Sequence, residues 1–222
     1  MLNKAINTFI LSRLLIERLS VDHTLPINNN YLAVALKLMI NKALFILQGN
    51  ITSSHTWSLI LSDIIASYFK DPSCLTISSI IRKPGTKVLI WFRLSAIQIP
   101  SIAAVLLKVV SSLHNVDINH GTLIGPFCCI DHANCIIIGQ QAQLAWNILI
   151  MHGTTLGSLG ERLSTGSIRH PVIMSGVSIG AHSSVLGNII IGHCVTVAAN
   201  STISKFILPY NTVLGSPARL LC

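Results

Sequence analysis

An acidic and a basic side chain stand next to each other in one of the most apolar stretches of the sequence. The stretch is GPFCCIDHANCIIIGQQAQ, residues 125–143, and the pair is Asp131 and His132. An imidazole has an ordinary pKa of about 6.5, so it can accept a proton near neutral pH. The chain of 222 residues has only seven acidic residues. A carboxylate in an apolar setting therefore needs an explanation, and the pair suggests acid–base chemistry.

The cysteines and the other histidines give weaker signals. The six cysteines show neither paired disulfide spacing nor the CxxC spacing of a metal site. Because no secretory signal is recognised, we interpret them as reduced thiols of a cytosolic protein. The adjacent Cys128 and Cys129 are interpreted as small buried hydrophobic residues rather than as a redox pair. None of the nine histidines has HxxxH-type spacing, and no metal site is predicted.

Composition disfavours several functional classes. Hydrophobic residues make up 51% of the chain and charged residues 10%. The longest uncharged apolar segment, residues 94–107, is shorter than the roughly 20 residues that a membrane-spanning helix needs. Most of the net charge of +8 falls before residue 110, spread along the predicted helices without clustering or aromatic interleaving, which argues against nucleic-acid binding. We therefore expect a soluble, cytoplasmic protein, and an oligomer because so apolar a surface needs covering.

The elements that position these residues fall into two regions. In residues 1–112, polar residues interrupt long apolar stretches every three or four positions, which is the period of a helix packed on one face. The pattern predicts helices at residues 30–47, 56–69, 87–98 and 101–113. Segments 70–74 and 82–86 contain proline, and we predict that they break the helical pattern.

From about residue 115 the period changes to six. Gly, Asn, His and Ser recur between branched apolar residues, and segment 157–170 interrupts the series once. The thirteen positions of the series are Ile118, Ile124, Ile130, Ile136, Ala142, Ile148, Thr154, Ile173, Ile179, Val185, Ile191, Val197 and Ile203. This is the hexapeptide repeat of a parallel β-helix, in which three short strands form a coil of about 18 residues. A β-sandwich with regular turns is the alternative that this regularity disfavours.

Four segments of the second region resemble serine O-acetyltransferase, a family of hexapeptide-repeat acyltransferases. They are VDINHGTLIGPFCCIDHANCIIIG (116–139), ILIMHGTTLG (148–157), RHPVIMSGVSIGAHSSVLGNIIIG (169–192) and LGSPARLL (214–221). KDPS (70–73) extends the resemblance to the helical region. The resemblance implies an α + β fold, in which an α-helical N-terminal domain at 1–114 precedes a left-handed parallel β-helix at 115–222.

The resemblance also implies a catalytic dyad. The Asp of a DI dipeptide and the His of a DHA tripeptide correspond to Asp117 and His132, fifteen residues apart. In a coil of about 18 residues this spacing puts them on successive coils near one corner. His132 would remove the proton of an attacking hydroxyl group. Asp117 would fix the tautomer of the imidazole and support the imidazolium that forms.

Binding residues follow from the same resemblance. Asp71 and Asp131 would receive the ammonium and hydroxyl groups of serine. Arg169 would pair with the serine carboxylate, for which a planar guanidinium is suited, and His170 would line the same pocket. Thr196 stands where the family often has a lysine towards coenzyme A. Lys205 and Arg219 are therefore the nearest candidates for the phosphates of acetyl-CoA, and the resemblance also assigns His152, Gly157 and Ala181 to this co-substrate.

The activity implied by the resemblance is transfer of acetyl from acetyl-CoA to L-serine, giving O-acetylserine in cysteine biosynthesis. The family also implies a homo-oligomer, either a trimer or a dimer of trimers. The sequence lacks the tail by which family members dock into a sulfhydrylase, so that partner is not expected. Two alternatives stay open. One is a related O-acetyltransferase with another hydroxyl acceptor, and the other is a catalytically idle structural homologue.

Overall fold

The computed structural model describes residues 53–71, 76–96, 100–160 and 168–221. In this part of the chain, helices come first and short strands follow, with the change at Asn115. Among the helices of these residues, none is long and apolar enough to cross a membrane.

The helical part of the described chain has four helices. They are α1 (Ser53–Lys70), α2 (Ile77–Arg82), α3 (Pro84–Ser95) and α4 (Pro100–His114). The helices predicted at 56–69 and 101–113 are confirmed, and the one predicted at 87–98 is observed as far as Ser95. Residues 97–98 and the helix predicted at 30–47 lie outside the described residues. The short α2 was not predicted. Segment 82–86 breaks the pattern only at Lys83, because Pro84 occupies the first position of α3, where a missing N–H costs nothing.

The strands form three sheets that wind round a common core. Sheet A contains β1 (Val116–Ile118), β4 (Ile136–Ile138), β7 (Thr155–Gly157), β10 (Ser184–Leu186) and β13 (Thr202–Ile203). Sheet B contains β2 (Leu123–Ile124), β5 (Gln143–Leu144), β8 (Val172–Ile173) and β11 (Ile190–Ile191). Sheet C contains β3 (Cys129–Asp131), β6 (Leu149–Met151), β9 (Ser178–Ile179), β12 (Thr196–Val197), β14 (Thr212–Leu214) and β15 (Arg219–Leu220).

Chain order and pairing together define the architecture. Up to β13, successive strands enter the three sheets in turn, and strands of successive coils pair in parallel. The last strand, β15, instead pairs antiparallel with β14. The fold is the predicted left-handed parallel β-helix, preceded by helices.

The hexapeptide positions are buried as predicted, but their register changes at one corner. All thirteen are buried. Ile118, however, pairs with Ile138, 20 residues later, whereas Ile138 pairs with Leu156, 18 residues later. The first coil is therefore two residues longer than the predicted length of about 18, and the extra residues lie in the corner at 132–135. Alternate residues of a strand face the same side, so a shift of two keeps the apolar residues inward.

A buried ion pair joins the helices to the first coil. Arg93 in α3 donates from Nε to Asp63 Oδ2 in α1 at 3.0 Å, and both side chains are buried. The same guanidinium donates to the carbonyl groups of Ile124 and Gly125. Asp63 Oδ1 accepts from the N–H of Cys128 at 2.9 Å. Burial, which Arg93 only partly offsets, raises the pKa of Asp63 to about 6.

Apolar packing extends the same junction. Val88, Leu89 and Phe92 of α3 belong to the hydrophobic core that the β-helix ladders form. Gly85 permits the close approach, because a Cβ at this position would overlap the carbonyl oxygen of Ile130. The helices thus fix the position of the first coil, which carries Asp131 and His132. The division into two domains at residues 114 and 115 stays a prediction.

Candidate active site

Two corners of the β-helix carry most of the predicted site residues. The histidine corner joins sheet C to sheet A and consists of residues 132–135, 152–154 and 180–183. The arginine corner joins sheet A to sheet B and consists of residues 119–122, 139–142 and 168–171. β4 therefore runs from the histidine corner to the arginine corner, and β7 and β10 also begin at the histidine corner.

His132 lies at the histidine corner, immediately after β3. Its φ of 52° is in the left-handed region, and 76% of its side-chain surface is exposed. Its Nε2 lies 3.7 Å from Asp131 Oδ1, which is beyond hydrogen-bond distance. The imidazole is thus accessible to a substrate hydroxyl group, with a carboxylate close to its ring.

Asp117, the predicted partner of His132, is the middle residue of β1 and is exposed. Its pairing partner in the next coil is Ile137, five residues after His132. The two predicted dyad residues therefore lie on successive coils, as the spacing predicted. No hydrogen bond or ion pair joins their side chains in the described residues, and Asp131 is the carboxylate within ion-pair distance of His132. The role of Asp117 stays a prediction.

Two lysines neighbour the carboxylates that were predicted to bind serine. Asp71 follows α1, and its Oδ2 accepts from Lys83 Nζ at 2.7 Å. Asp131 Oδ2 lies 4.0 Å from Lys70 Nζ. Sequence reasoning missed both lysines. Lys70 is adjacent to Asp71 in the sequence, but in the structure it approaches Asp131. A substrate ammonium group that binds here would compete with these side chains.

The neighbouring thiols are unsuited to nucleophilic chemistry. Cys128 and Cys129 are both buried. Burial raises the pKa of Cys128 well above its ordinary value, and it raises the pKa of Cys129 to about 11. Both thiols therefore stay protonated near neutral pH and lack the reactive thiolate. Their interpretation as small buried residues is confirmed.

Three histidines stack along the histidine corner. The ring centroids of His132 and His152 are 5.9 Å apart, and those of His152 and His182 are 4.9 Å apart, both pairs edge-to-face. A Cβ at Gly153 would overlap the ring of His182, so glycine leaves space for the third ring. Nδ1 of His152 is buried without a hydrogen-bond partner. Sequence reasoning gave His182 no role.

In the four described ranges, no group of three or more His, Cys, Asp or Glu side chains is arranged to hold a metal ion. The three stacked histidines meet one another through ring edges and faces, which is how aromatic rings pack. An exposed imidazole such as that of His132 can transfer a proton.

Arg169 and His170 lie at the arginine corner, where they share one partner. Oε1 of Gln141 accepts from the backbone N–H of Arg169 at 3.1 Å and lies 3.2 Å from His170 Nδ1. Burial, followed by the charge of Arg169, lowers the pKa of His170. The ring of His170 covers Gly139, where a Cβ would overlap it. Sequence reasoning missed Gln141, because a glutamine in a polar turn carries no signal.

A single copy of the chain keeps the two corners apart. β4 runs from the histidine corner at Cys135 to the arginine corner at Gly139. Four residues of extended chain span roughly 13 Å, at about 3.3 Å per residue. His132 and His170 therefore lie towards opposite ends of the sheet A strands, and no contact between their side chains is present in the described part of the chain.

The residues predicted to bind acetyl-CoA are spread along the β-helix. His152 and Ala181 lie on successive coils of the histidine corner, where the N–H of His182 donates to the carbonyl group of His152 at 2.9 Å. Gly157 is at the opposite end of β7. Lys205 follows β13, and Arg219 lies in β15, where both side chains are exposed. Both cations therefore lie on the last coils of the described chain.

Comparisons with curated proteins find relatives named serine acetyltransferase. No protein-family model matches the sequence. The serine acetyltransferase of Buchnera aphidicola subsp. Schizaphis graminum is 35% identical over 167 residues, which cover 73% of this chain and 63% of that protein. The chain spans between 45% and 63% of the length of the first three curated relatives that it matches.

Two solved structures extend the comparison. The serine acetyltransferase of Neisseria gonorrhoeae in complex with serine is 31% identical, with a TM-score of 0.71 over 82% of this chain and 73% of that one. The serine acetyltransferase of Brucella abortus strain S19 in complex with coenzyme A has a TM-score of 0.69 over the same shares of the two chains. On the strength of this sequence identity and coverage, the chain belongs to the serine acetyltransferase family.

Proposed function

We propose that the protein is an acetyl-CoA-dependent serine O-acetyltransferase. It transfers the acetyl group of acetyl-CoA to the hydroxyl group of L-serine, and the products are O-acetyl-L-serine and coenzyme A. The observation that carries the proposal is the exposed imidazole of His132 beside the carboxylate of Asp131. The solved relatives, which include complexes with serine and with coenzyme A, support the two substrates.

His132 is the general base of the proposed reaction. A serine hydroxyl group is a weak nucleophile near neutral pH, and a neutral imidazole can take its proton as the oxygen attacks the thioester carbonyl carbon. The resulting tetrahedral intermediate collapses when the carbon–sulfur bond breaks. The imidazolium then returns the proton to the departing thiolate. The carboxylates of Asp117 and Asp131 partly offset the positive charge that His132 carries in the transition state.

The acceptor is held by charges of both signs. Asp71 and Asp131 bind the serine ammonium and hydroxyl groups, in exchange for their contacts with Lys83 and Lys70. Arg169 binds the serine carboxylate, and its exposed guanidinium is suited to a bidentate contact. Acetyl-CoA lies along the coils that carry His152, Gly157 and Ala181, and its phosphates meet Lys205 and Arg219. The reduced cysteines favour a cytoplasmic location.

The active site is completed by a second copy of the chain. His132 and Arg169 belong to different corners of one β-helix, and the sheet A strands separate these corners. Three copies arranged round an axis along the coils can bring the histidine corner of one copy against the arginine corner of the next. Such a closed ring uses one kind of interface throughout.

We therefore expect a particle of at least three chains in solution, several times the 24.0 kDa mass of one chain. Static light scattering coupled to size exclusion gives the mass directly. Activity measured across the elution profile should follow the oligomer. A fully active monomer would contradict the shared site.

The proposed activity is tested by following the release of coenzyme A thiol from acetyl-CoA. L-Serine is compared with L-homoserine, with glycerol and with a sugar alcohol as acceptors at equal concentrations. The proposal expects the highest kcat/KM with L-serine. Preference for an acceptor without a carboxylate supports the alternative enzyme, and no release with any acceptor supports the idle homologue.

Arg169→Ala is expected to raise the KM for L-serine by roughly 10- to 150-fold, because a charge-assisted contact contributes about 1.5–3 kcal/mol. The KM for acetyl-CoA should stay within about twofold to threefold, since Arg169 touches only the acceptor. Serine methyl ester, which lacks the carboxylate charge, should distinguish the two enzymes poorly. Steady-state kinetics with both substrates varied provides the measurement. Loss of acetyl-CoA affinity with unchanged serine affinity would reassign Arg169 to the cofactor.

A further inference from the structure

We infer that Gln141 is a positioning residue of the acceptor site, which holds His170 as the Nδ1–H tautomer and anchors Arg169 through the same oxygen atom. The inference rests on the proposed function, because it concerns the residues proposed to bind serine. Nothing in the sequence pattern singles out Gln141. The geometry at the arginine corner does, since one side-chain atom contacts both of the adjacent acceptor residues.

The identity of the shared atom follows from chemistry. The two ends of a glutamine amide are easily interchanged in a structure, so a contact alone does not distinguish oxygen from nitrogen. The backbone N–H of Arg169 can only donate, and it lies 3.1 Å from the shared atom. That atom must therefore be an acceptor, which is the oxygen.

The tautomer of His170 follows from the identity of that atom. Nδ1 of His170 lies 3.2 Å from the same Oε1, and an amide oxygen has no hydrogen to give. Nδ1 must therefore carry the hydrogen. In the neutral ring, Nε2 then has a lone pair and no hydrogen. The lowered pKa of His170, which burial and Arg169 cause, keeps the ring neutral near neutral pH.

This arrangement divides the recognition of an amino-acid acceptor between two adjacent residues. A carboxylate offers acceptors only, so a neutral His170 with a bare Nε2 has no hydrogen for it. Arg169 takes the carboxylate, and His170 accepts from a donor group of the substrate. The ring edge that carries Nε2 and Cδ2 covers Gly139 and would overlap a Cβ there. Gln141 and Gly139 thus fix two sides of the imidazole.

Gln141→Leu keeps the approximate length of the side chain and removes the oxygen. We expect the KM for L-serine to rise roughly 2- to 10-fold, the effect of one lost hydrogen bond, with kcat and the KM for acetyl-CoA nearly unchanged. Gln143→Leu is the matched control, because Gln143 is an exposed glutamine in β5 of the same coil. The control should match the wild type in all three constants. Equal KM for serine in Gln141→Leu and wild type would overturn the positioning role.

The tautomer is measured separately by magic-angle-spinning NMR of protein with isotope-labelled histidine. Spectra are taken well above the ordinary histidine pKa of about 6.5. The His170 signal, identified among nine histidines by its loss in His170→Gln, should show Nδ1–H in wild type and in Gln141→Glu, which keeps an oxygen acceptor. Gln141→Leu should lose that preference.

The kinetic and NMR measurements distinguish a failure of the inference from a failure of the proposed function. An Nε2–H form of His170 in the wild type would overturn the inference whatever the acceptor is. Retention of Nδ1–H in Gln141→Leu would also overturn it. The absence of acetyl transfer to serine would instead refute the proposed function, and the tautomer result would still stand on its own.

Discussion

Replacing His132 is expected to lower kcat by at least about 10²-fold and up to about 10⁴-fold, which is the usual contribution of a positioned general base. The KM for L-serine should change much less, because the imidazole acts mainly in the transition state. The side chain is largely exposed, so its removal should not disturb the ladders of the core. Steady-state kinetics of acetyl transfer gives both constants.

The choice of substitution follows from the backbone. His132 has a φ of 52°, where Asn is tolerated and Ala is strained. We therefore expect His132→Asn to keep the fold better than His132→Ala, with an equal loss of kcat. His193→Ala is the matched control, since His193 is an exposed histidine in a turn outside both corners. A kcat of His132→Asn equal to that of the wild type would end the assignment of the base.

Asp117→Asn tests the carboxylate that is proposed to support the imidazolium of His132. A carboxylate that supports the imidazolium should affect kcat, but less than the base itself does. The structure offers Asp131, at 3.7 Å from His132, as a second source of negative charge. We expect the two carboxylates to share this role in the oligomer, so that neither substitution alone reaches the loss seen for His132.

The β-helix could be predicted because its signal repeats. Each coil contributes several branched residues to one core, so a single irregular position such as Ala142 does not hide the period. The register change at residues 132–135 could not be predicted. Alternate residues of a strand point the same way, and an insertion of two residues leaves Ile136 and Ile138 both buried. Only pairing between coils distinguishes a coil of 20 residues from one of 18.

The site was predicted only in part, because contacts between residues far apart in the sequence leave no local pattern. Family motifs pointed to His132, Asp131 and Arg169 because short sequence patterns surround them. The contacts of Lys83 with Asp71 and of Gln141 with His170 join residues 12 and 29 positions apart. Such contacts depend on how helices and coils pack, and no local pattern encodes them. The separation of the two corners likewise follows from the order of the strands in the sheets, which no local pattern predicts.

The buried pair of Asp63 and Arg93 could not be predicted from the sequence. The two residues lie 30 positions apart on different helices, and each looks like an ordinary charge on a helix. Their side chains nevertheless satisfy the carbonyl groups of Ile124 and Gly125 and the N–H of Cys128. These are backbone groups of the first coil, a few residues before His132. The pair thus connects the packing of the helices to the position of the proposed base.

Asp63→Ala is expected to lower the free energy of unfolding by about 3–5 kcal/mol, because it leaves a buried guanidinium without its partner. Arg93→Met should lower the free energy of unfolding by a smaller amount. An aspartate that is left alone can take up a proton, and the pKa of Asp63 is already raised to about 6, whereas a guanidinium keeps its charge. Urea unfolding at one fixed protein concentration provides the comparison, since assembly makes stability depend on concentration.

Lys83→Ala is the control for this comparison. It breaks an ion pair that is shorter, at 2.7 Å, but whose side chains are 29% and 44% exposed. Exposed pairs contribute about 0–1 kcal/mol, so Lys83→Ala should leave the unfolding midpoint nearly unchanged. The double variant Asp63→Leu/Arg93→Met should recover only part of the unfolding free energy that Asp63→Ala loses. The carbonyl groups and the N–H of the first coil stay unsatisfied in it. An equal, small effect of Asp63→Ala and Lys83→Ala would mean that burial adds nothing to this pair, and that apolar packing of α3 alone holds the first coil in place.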